Sequence, residues 1–353
     1  ITGISFEEDV LANSYIDLNP SYDESQNAYP IRISVKEGTD MTSLAPIFEL
    51  TPGATISPAS GSVQNFTTPV RYTVTSEDKA WHRVYAITAR EQKASNIPTT
   101  YHFEKVRIMQ NVWQEFYEEQ DSGNELTWAS GNKGFKWAMS EAATEDYPTT
   151  QIDNGKTGKC VKLETRLTGD LGNMVGMPIA AGNLFIGSFD MLNAITNPLS
   201  ATRFGTPFYN KPLRLTGYYK YKAGEQFYEN GEYTSRKDIF NIYAIFYDGV
   251  KYDSAGKGTD VTLDGNLPNQ NYEHSSMVAL ALVSNPQETE GDEWKFFDIP
   301  FDYQRYGKKI DEARLAKGEY KIGIIFASSK DGATFEGAPG STLLIDEVEL
   351  IYE

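Results

Sequence analysis

Beyond residue 200 the chain repeatedly alternates its side chains with the period of a β-strand. In DIFNIYAIFYD, Phe240, Ile242, Ala244 and Phe246 fall on one face and Ile239, Asn241, Tyr243, Ile245 and Tyr247 on the other. YKIGIIFASS sets Tyr320, Ile322, Ile324 and Phe326 against Lys321, Gly323 and Ala327. LRLTGYYKY divides into Leu213, Leu215, Tyr219 and Tyr221 against Arg214, Thr216, Tyr218 and Lys220. In SMVALALV the larger Val278, Leu280 and Leu282 are expected inward, with Ala279 and Ala281 outward. The second faces are neither charged surfaces nor full cores. Small residues beside a few aromatic and amide groups predict a concave sheet with a hollow open to a ligand. The alternative is that loops cover this face and the small residues make room for them. One short helix is predicted in KIDEARLAKGEY, where Ile310, Ala313 and Leu315 recur and Gly318 ends the turn.

Residues 1–92 read as a separate small all-β unit. A strand from Ile31 to Val35 leads into a turn at Glu37 to Asp40, where Gly38 can take positive φ. Pro52-Gly53 and the stretch from Pro58 to Gly61 punctuate two extended pieces, and VRYTVTSED and RVYAITARE complete the set. Short strands at regular turn spacing predict an immunoglobulin-like β-sandwich, without the Cys and Trp hallmarks of antibody domains. EQKASNIPTT, residues 91–100, is polar and aperiodic and carries Pro98, which marks it as the boundary or as a fixed extended connection. The second domain is taken as residues 98–353.

Composition supports a chain built mostly of strands: 22 Tyr, 18 Phe and 29 Gly stand among few long apolar runs. The formal net charge of −17 would repel a phosphate backbone, so nucleic acid and anionic lipid surfaces are poor partners. Cys160 is the single cysteine, which excludes an intramolecular disulfide, and its strand-like setting GKCVKLETR predicts a structural thiol. No apolar run approaches the roughly 20 residues of a membrane helix. The chain begins at Ile1 without Met, and a processed N-terminus is expected, with any export signal or lipid anchor outside this sequence.

Metal and nucleophile chemistry find little support. His82, His102 and His274 have no partner at ligand spacing, and no P-loop, nucleophile elbow or dinucleotide fingerprint is present. Asp346, Glu347 and Glu104 could serve calcium, but acidic residues at strand ends are ordinarily solvated, so neither metal nor cofactor is expected. A glycosidase needs two carboxyl groups about 5 to 9.5 Å apart. Glu141, Asp238 and Glu336 sit near the favoured loops, yet no spacing singles out an acid and a base. Other groups suit hydroxyl recognition. RFGTPFYNKPLRLTGYYKY combines Tyr and Phe rings with two Arg around Pro-hinged loops. TWASGNKGFKWAM places Trp128 and Trp137 about Asn132, Lys133 and Gly134, two stacking faces with an amide between. The protein's own packing is the competing use for such indoles.

RFGTPFYNKPLRLTGYYKYKAG and FASSKDGATFEGAPGSTLLIDEVELIY resemble the Bacteroidetes family described as a putative carbohydrate metabolism domain. ISVKEGTDMTSLAPIFELTPGATISPASG and VRYTVTSEDKAWHRVYAI are similar to the Ig-like modules that precede it in surface proteins. The resemblance implies a jelly-roll sandwich with a glycan pocket on its concave face. It also implies an exported lipoprotein at the outer membrane or cell surface, touching the membrane only through a lipid anchor outside this chain, with other glycan-utilisation proteins as partners. The ExDxxE strand of one large jelly-roll hydrolase family is missing, which counts against a retaining hydrolase.

The expected function is therefore binding or processing of a glycan. Trp128, Trp137, Phe208, Tyr218 and Tyr243 would supply faces, and Asn132, Arg203, Lys220, Asn241 and Glu336 hydrogen bonds. A glycoside hydrolase or lyase in the same pocket, using Glu336 or Asp238, and a structural adhesin are the alternatives.

Overall fold

The structure is a computed structural model that describes residues 1–12, 15–92, 95–120 and 125–353. Residues 93–94 of the predicted linker lie outside the described residues. The chain divides into two compact units, residues 1–94 and 95–352.

In the first unit, Tyr29–Lys36 runs parallel to His82–Gln92, and Val70–Thr75 and Thr55–Ser57 extend the sheet by antiparallel pairing. Gly3–Ser5 and Ile47–Glu49 form a second, two-stranded sheet. Ile31, Ile33, Val35, Phe48, Phe66, Tyr72 and Ile87 fill the space between them. Gly38 takes φ +82° in the predicted turn, and Trp81 stands exposed at the tip of a hairpin.

The second unit is a two-sheet antiparallel sandwich of the jelly-roll kind. One sheet has the order Thr149–Ile152, Cys160–Glu164, Thr342–Tyr352, Pro212–Lys222, Lys295–Pro300, and Thr100–Tyr101 also pairs with its central strand Thr342–Tyr352. The other has the order Asn183–Phe185, Tyr320–Ala327, Asn241–Asp248, Met277–Leu282, with Thr206–Pro207 beside Tyr320–Ala327. Leu215, Tyr219, Tyr221, Leu343 and Ile345 from the first sheet meet Ile242, Phe246, Ile322, Ile324 and Phe326 from the second. Burying such side chains contributes about 1.5–3 kcal/mol each, which fixes the register of both sheets. Ile97 is buried in this core, and the Asn96 side-chain amide donates to the Pro207 carbonyl at 2.8 Å. The residues just before Pro98 are thus tied to the second unit.

Alternation placed most faces correctly, including Val278 in the core between the sheets, but failed over the rest of Met277–Leu282. Ala279 and Ala281 face the core between the sheets, while Met277 and Leu280 lie in a second cluster on the opposite face. The register shifts between Phe246 and Tyr247, so Phe246 faces Ala279 and Tyr247 faces Met277. Both faces of the sheet are buried, and size alone could not tell inside from outside. The outer face is not an open hollow along its length. Phe204, Leu263, Leu267 and Tyr272 from crossing loops and short strands pack onto Tyr243, Ile245 and Tyr247 there. The predicted late helix is Glu312–Leu315, capped by the Asp311 carboxylate accepting from the Ala313 and Arg314 amides. Among the described residues no helix is long and apolar enough to cross a membrane.

Candidate functional site

At one end of that loop-covered face a cavity of about 170 Å³ remains. Its floor is the sheet itself, through Asn183, Phe185, Asn241, Tyr243, Ile325 and Ala327. Three short helices wall it. Asn132–Ala138 presents Gly134, Phe135, Trp137 and Ala138, Gly169–Met174 presents Gly172, and Met191–Thr196 presents Met191 and Ala194. The last begins where Asp190 accepts from the Leu192 amide at 3.0 Å. Phe189, Phe204, Lys330 and Phe335 complete the ring. Phe335 reaches the cavity from a left-handed backbone position, φ +61°.

The polar atoms around the cavity are largely occupied by the protein. Asn183 Oδ1 accepts from the Gly131 amide at 2.7 Å. Asn241 Nδ2 donates to Tyr272 Oη at 3.0 Å, and that hydroxyl donates back to Asn241 Oδ1 at 3.2 Å. Thr168 Oγ1 donates to the Met177 carbonyl, and Ser329 Oγ donates to Asp238 at 2.6 Å. Burial pushes the Tyr243 hydroxyl well above the usual phenol range and that of Tyr272 up to about 12, so both stay neutral. Among the lining residues there is no Asp, Glu, His or Cys, and Lys330 is the one charged side chain.

Only part of the sequence-derived site is assembled here. Trp137, Asn241 and Tyr243 line the cavity. Trp137 is 37% exposed, whereas Asn241 and Tyr243 are buried in its floor. Trp128 is a core residue, its ring 5.1 Å from Tyr101 and 5.9 Å from Phe326. Asn132 is fully buried and joins its helix to Thr149, donating to that carbonyl at 2.7 Å and accepting from that amide at 3.1 Å. Phe208 packs against Tyr352 at 5.8 Å inside the sandwich. These three cannot contact a sugar, because the core already covers them. Arg203 lies between Thr202 and Phe204 on the strand Thr202–Phe204; both neighbours line the cavity, and alternation turns Arg203 out to solvent. Glu336 is half-buried but absent from the lining, which its neighbour Phe335 enters instead.

Tyr218 and Lys220 belong to the other sheet, on its outer face. There Tyr218 lies 5.2 Å from Phe296, with Lys156 Nζ 4.9 Å above its ring. Lys220 pairs with Asp292 at 2.5 Å and sits 5.0 Å over Trp294. They cannot act together with Trp137, which serves a cavity outside the opposite sheet.

The carboxylates considered for catalysis or metal are engaged elsewhere. Asp238 is buried and accepts from Ser329, Ser341 and the amides of Ala338 and Ile239 at 2.6–2.9 Å. Glu141 is exposed and does not line the cavity. Asp346 is buried and accepts from the amides of Thr157 and Glu347, Glu347 meets His102 at 2.9 Å, and Glu104 accepts from the Lys159 amide. Among the described residues no three His, Cys, Asp or Glu side chains gather as a metal site. Burial raises the Cys160 thiol to about 12, the behaviour of an inert core residue.

Sequence reasoning missed Phe189, Met191, Lys330 and Phe335. The Asp190 cap before MLNAIT was the legible signal for one wall. Phe335 carried none, because its approach depends on a left-handed turn.

The fold and cavity define a two-domain all-β protein with a small aromatic-walled recess in its larger sandwich. Residues 102–351 match the family described as "putative carbohydrate metabolism domain", and the chain belongs to that family. Residues 17–89 match the family described as "SGBP, N-terminal". A crystal structure of a putative glycoside hydrolase from Bacteroides thetaiotaomicron VPI-5482 is similar at 44% identity, covering 100% of this chain and 96% of that one, with a TM-score of 0.65. Another, from Bacteroides vulgatus ATCC 8482, shares 50% identity over 74% of this chain and 100% of that one, with a TM-score of 0.68. A search of curated proteins found no match. A role in carbohydrate metabolism, broadly stated, follows from this membership.

Proposed function

We propose that the chain is a glycan-binding accessory protein of a bacterial surface, which holds a sugar at the mouth of the cavity in its larger domain. The observation that carries this reading is the exposed Trp137 indole at the lip of an aromatic-walled recess that contains no carboxylate. A sugar ring stacks its apolar face on such an indole, a contact worth roughly 1 kcal/mol beyond area burial by analogy with aromatic pairs. Lys330, exposed at the same lip, supplies ammonium donors to hydroxyl groups. A surface location is supported by the N-terminal match to the SGBP family, a surface glycan-binding protein module, and by the Bacteroides relatives.

The names of those relatives favour a glycoside hydrolase as the second reading. Hydrolysis at this cavity would need an acid and a second carboxylate flanking the bond, and the lining offers neither. The test is a glycan array followed by calorimetry on hits, with product analysis on the same samples. Wild-type protein is expected to bind without releasing product, and Trp137→Ala to weaken binding at least tenfold. Unchanged affinity in Trp137→Ala would remove the site assignment, and product release would restore the hydrolase.

A further inference from the structure

The interior of the cavity is a poor place for a sugar. A sugar brings a hydroxyl on nearly every carbon, and each loses hydrogen bonds to water on entry unless the wall replaces them. Here Asn183, Asn241, Thr168 and Ser329 already bond to the protein, so the wall has few donors or acceptors to give. What it presents instead is rings and thioethers: Phe135, Phe189, Phe204, Phe335, Met177 and Met191. The volume of about 170 Å³ is close to that of apolar cavities of about 150 Å³ which stay dry and take up a single benzene ring.

We propose that the cavity receives an aromatic ring carried on the glycan, as an aryl ester or an aryl glycoside, while the sugar itself stays at the lip beside Trp137 and Lys330. This rests on the glycan-binding reading for the sugar, but the ring site stands on the cavity alone. Ring faces and edges on the wall match an aryl group better than an alkyl chain, since aromatic pairs gain from offset and edge-to-face contact. The occupant adds no charge, in keeping with a lining that has no carboxylate and only one ammonium, at the lip.

Three probes test it on the full chain: phenol, and the phenyl and octyl glycosides of whichever sugar the array selects, each beside the methyl glycoside. Ala333→Leu and Ala194→Leu, which grow side chains into the cavity from two different walls, provide the controls. The expected result is saturation transfer to phenol in wild-type protein, lost in both variants, and phenyl glycoside binding at least tenfold tighter than methyl. That advantage should vanish in the filled variants, with methyl glycoside affinity held within about twofold. Phenol that fails to bind, or phenyl and methyl glycosides that bind alike, overturns the aryl site, and an octyl glycoside that outbinds the phenyl one replaces it with an alkyl site. Phenol binding without any glycan binding instead overturns the reading of the sugar and leaves the aromatic site intact.

Discussion

Single residues show how far carboxylates can be read without their surroundings. Asp238 is an acid in sequence and a structural anchor in the fold, where four donors converge on it. Burial raises its pKa from the ordinary carboxylate value while those donors pull it down. Asp238→Asn turns one acceptor into a donor facing other donors, so denaturant melts should show a loss on the order of 3 kcal/mol; a neutral outcome would mean these bonds do not support the fold. Asp346 gives a pH signature. Burial dominates over its two amide bonds and takes it from 3.8 up to about 6. The folded state then keeps a proton that the unfolded chain releases from about pH 4, so unfolding free energy declines as pH rises through 4 to 6. At about 1.4 kcal/mol per unit, wild type should lose on the order of 2 kcal/mol relative to Asp346→Asn between pH 4 and 7. Parallel stability curves for the two proteins across that range would contradict the shift. Neither environment was legible in sequence, because the donors come from positions as distant as Ser341 and Thr157.

Elements were more legible than the contacts between them. Two-residue alternation placed Phe240 to Tyr247, Tyr320 to Phe326 and Leu215 to Tyr221 on their faces, because each has one face in the core between the sheets. It misjudged Ala279 because a register shift and two buried faces erased the polarity contrast on which alternation depends. TWASGNKGFKWAM was read as two indole faces about an amide, with the protein's own packing as the competing use, yet Asn132–Ala138 is helical, and that turns Phe135 inward and Trp137 toward the lip. Helix propensity gave no warning, since Gly134 sits inside the helix and disfavours it by roughly 1 kcal/mol. Tertiary bonds through Asn132 compensate. Asn132→Ala should therefore cost on the order of 2–3 kcal/mol, leaving the Thr149 amide and carbonyl buried without a partner. Because the same helix carries Trp137, glycan affinity should fall as well. Stability lost with affinity unchanged would show that Trp137 is positioned by something else.

At the scale of the whole molecule, each unit has an apolar centre of its own. Ile31, Phe66, Tyr72 and Ile87 belong to the cluster of the first unit, and the clusters containing Ile97, Tyr243 and Phe326 draw only on the second. The cavity and its lip, Gly131 to Phe335, fall entirely within residues 95–352. A core of this extent is what lets a domain fold alone. The formal charge of −17 spread over the chain discourages self-association without contributing to the recess, whose lining holds one ammonium and no carboxylate. A protein beginning at Ser95 is therefore expected to unfold in one cooperative transition and to keep the glycan affinity of the full chain within about twofold, still dependent on Trp137. Calorimetric unfolding and titration of the shortened and full proteins decide this. Affinity that disappears with residues 1–94 while the cooperative transition survives would move the sugar contacts, in whole or in part, into the N-terminal unit.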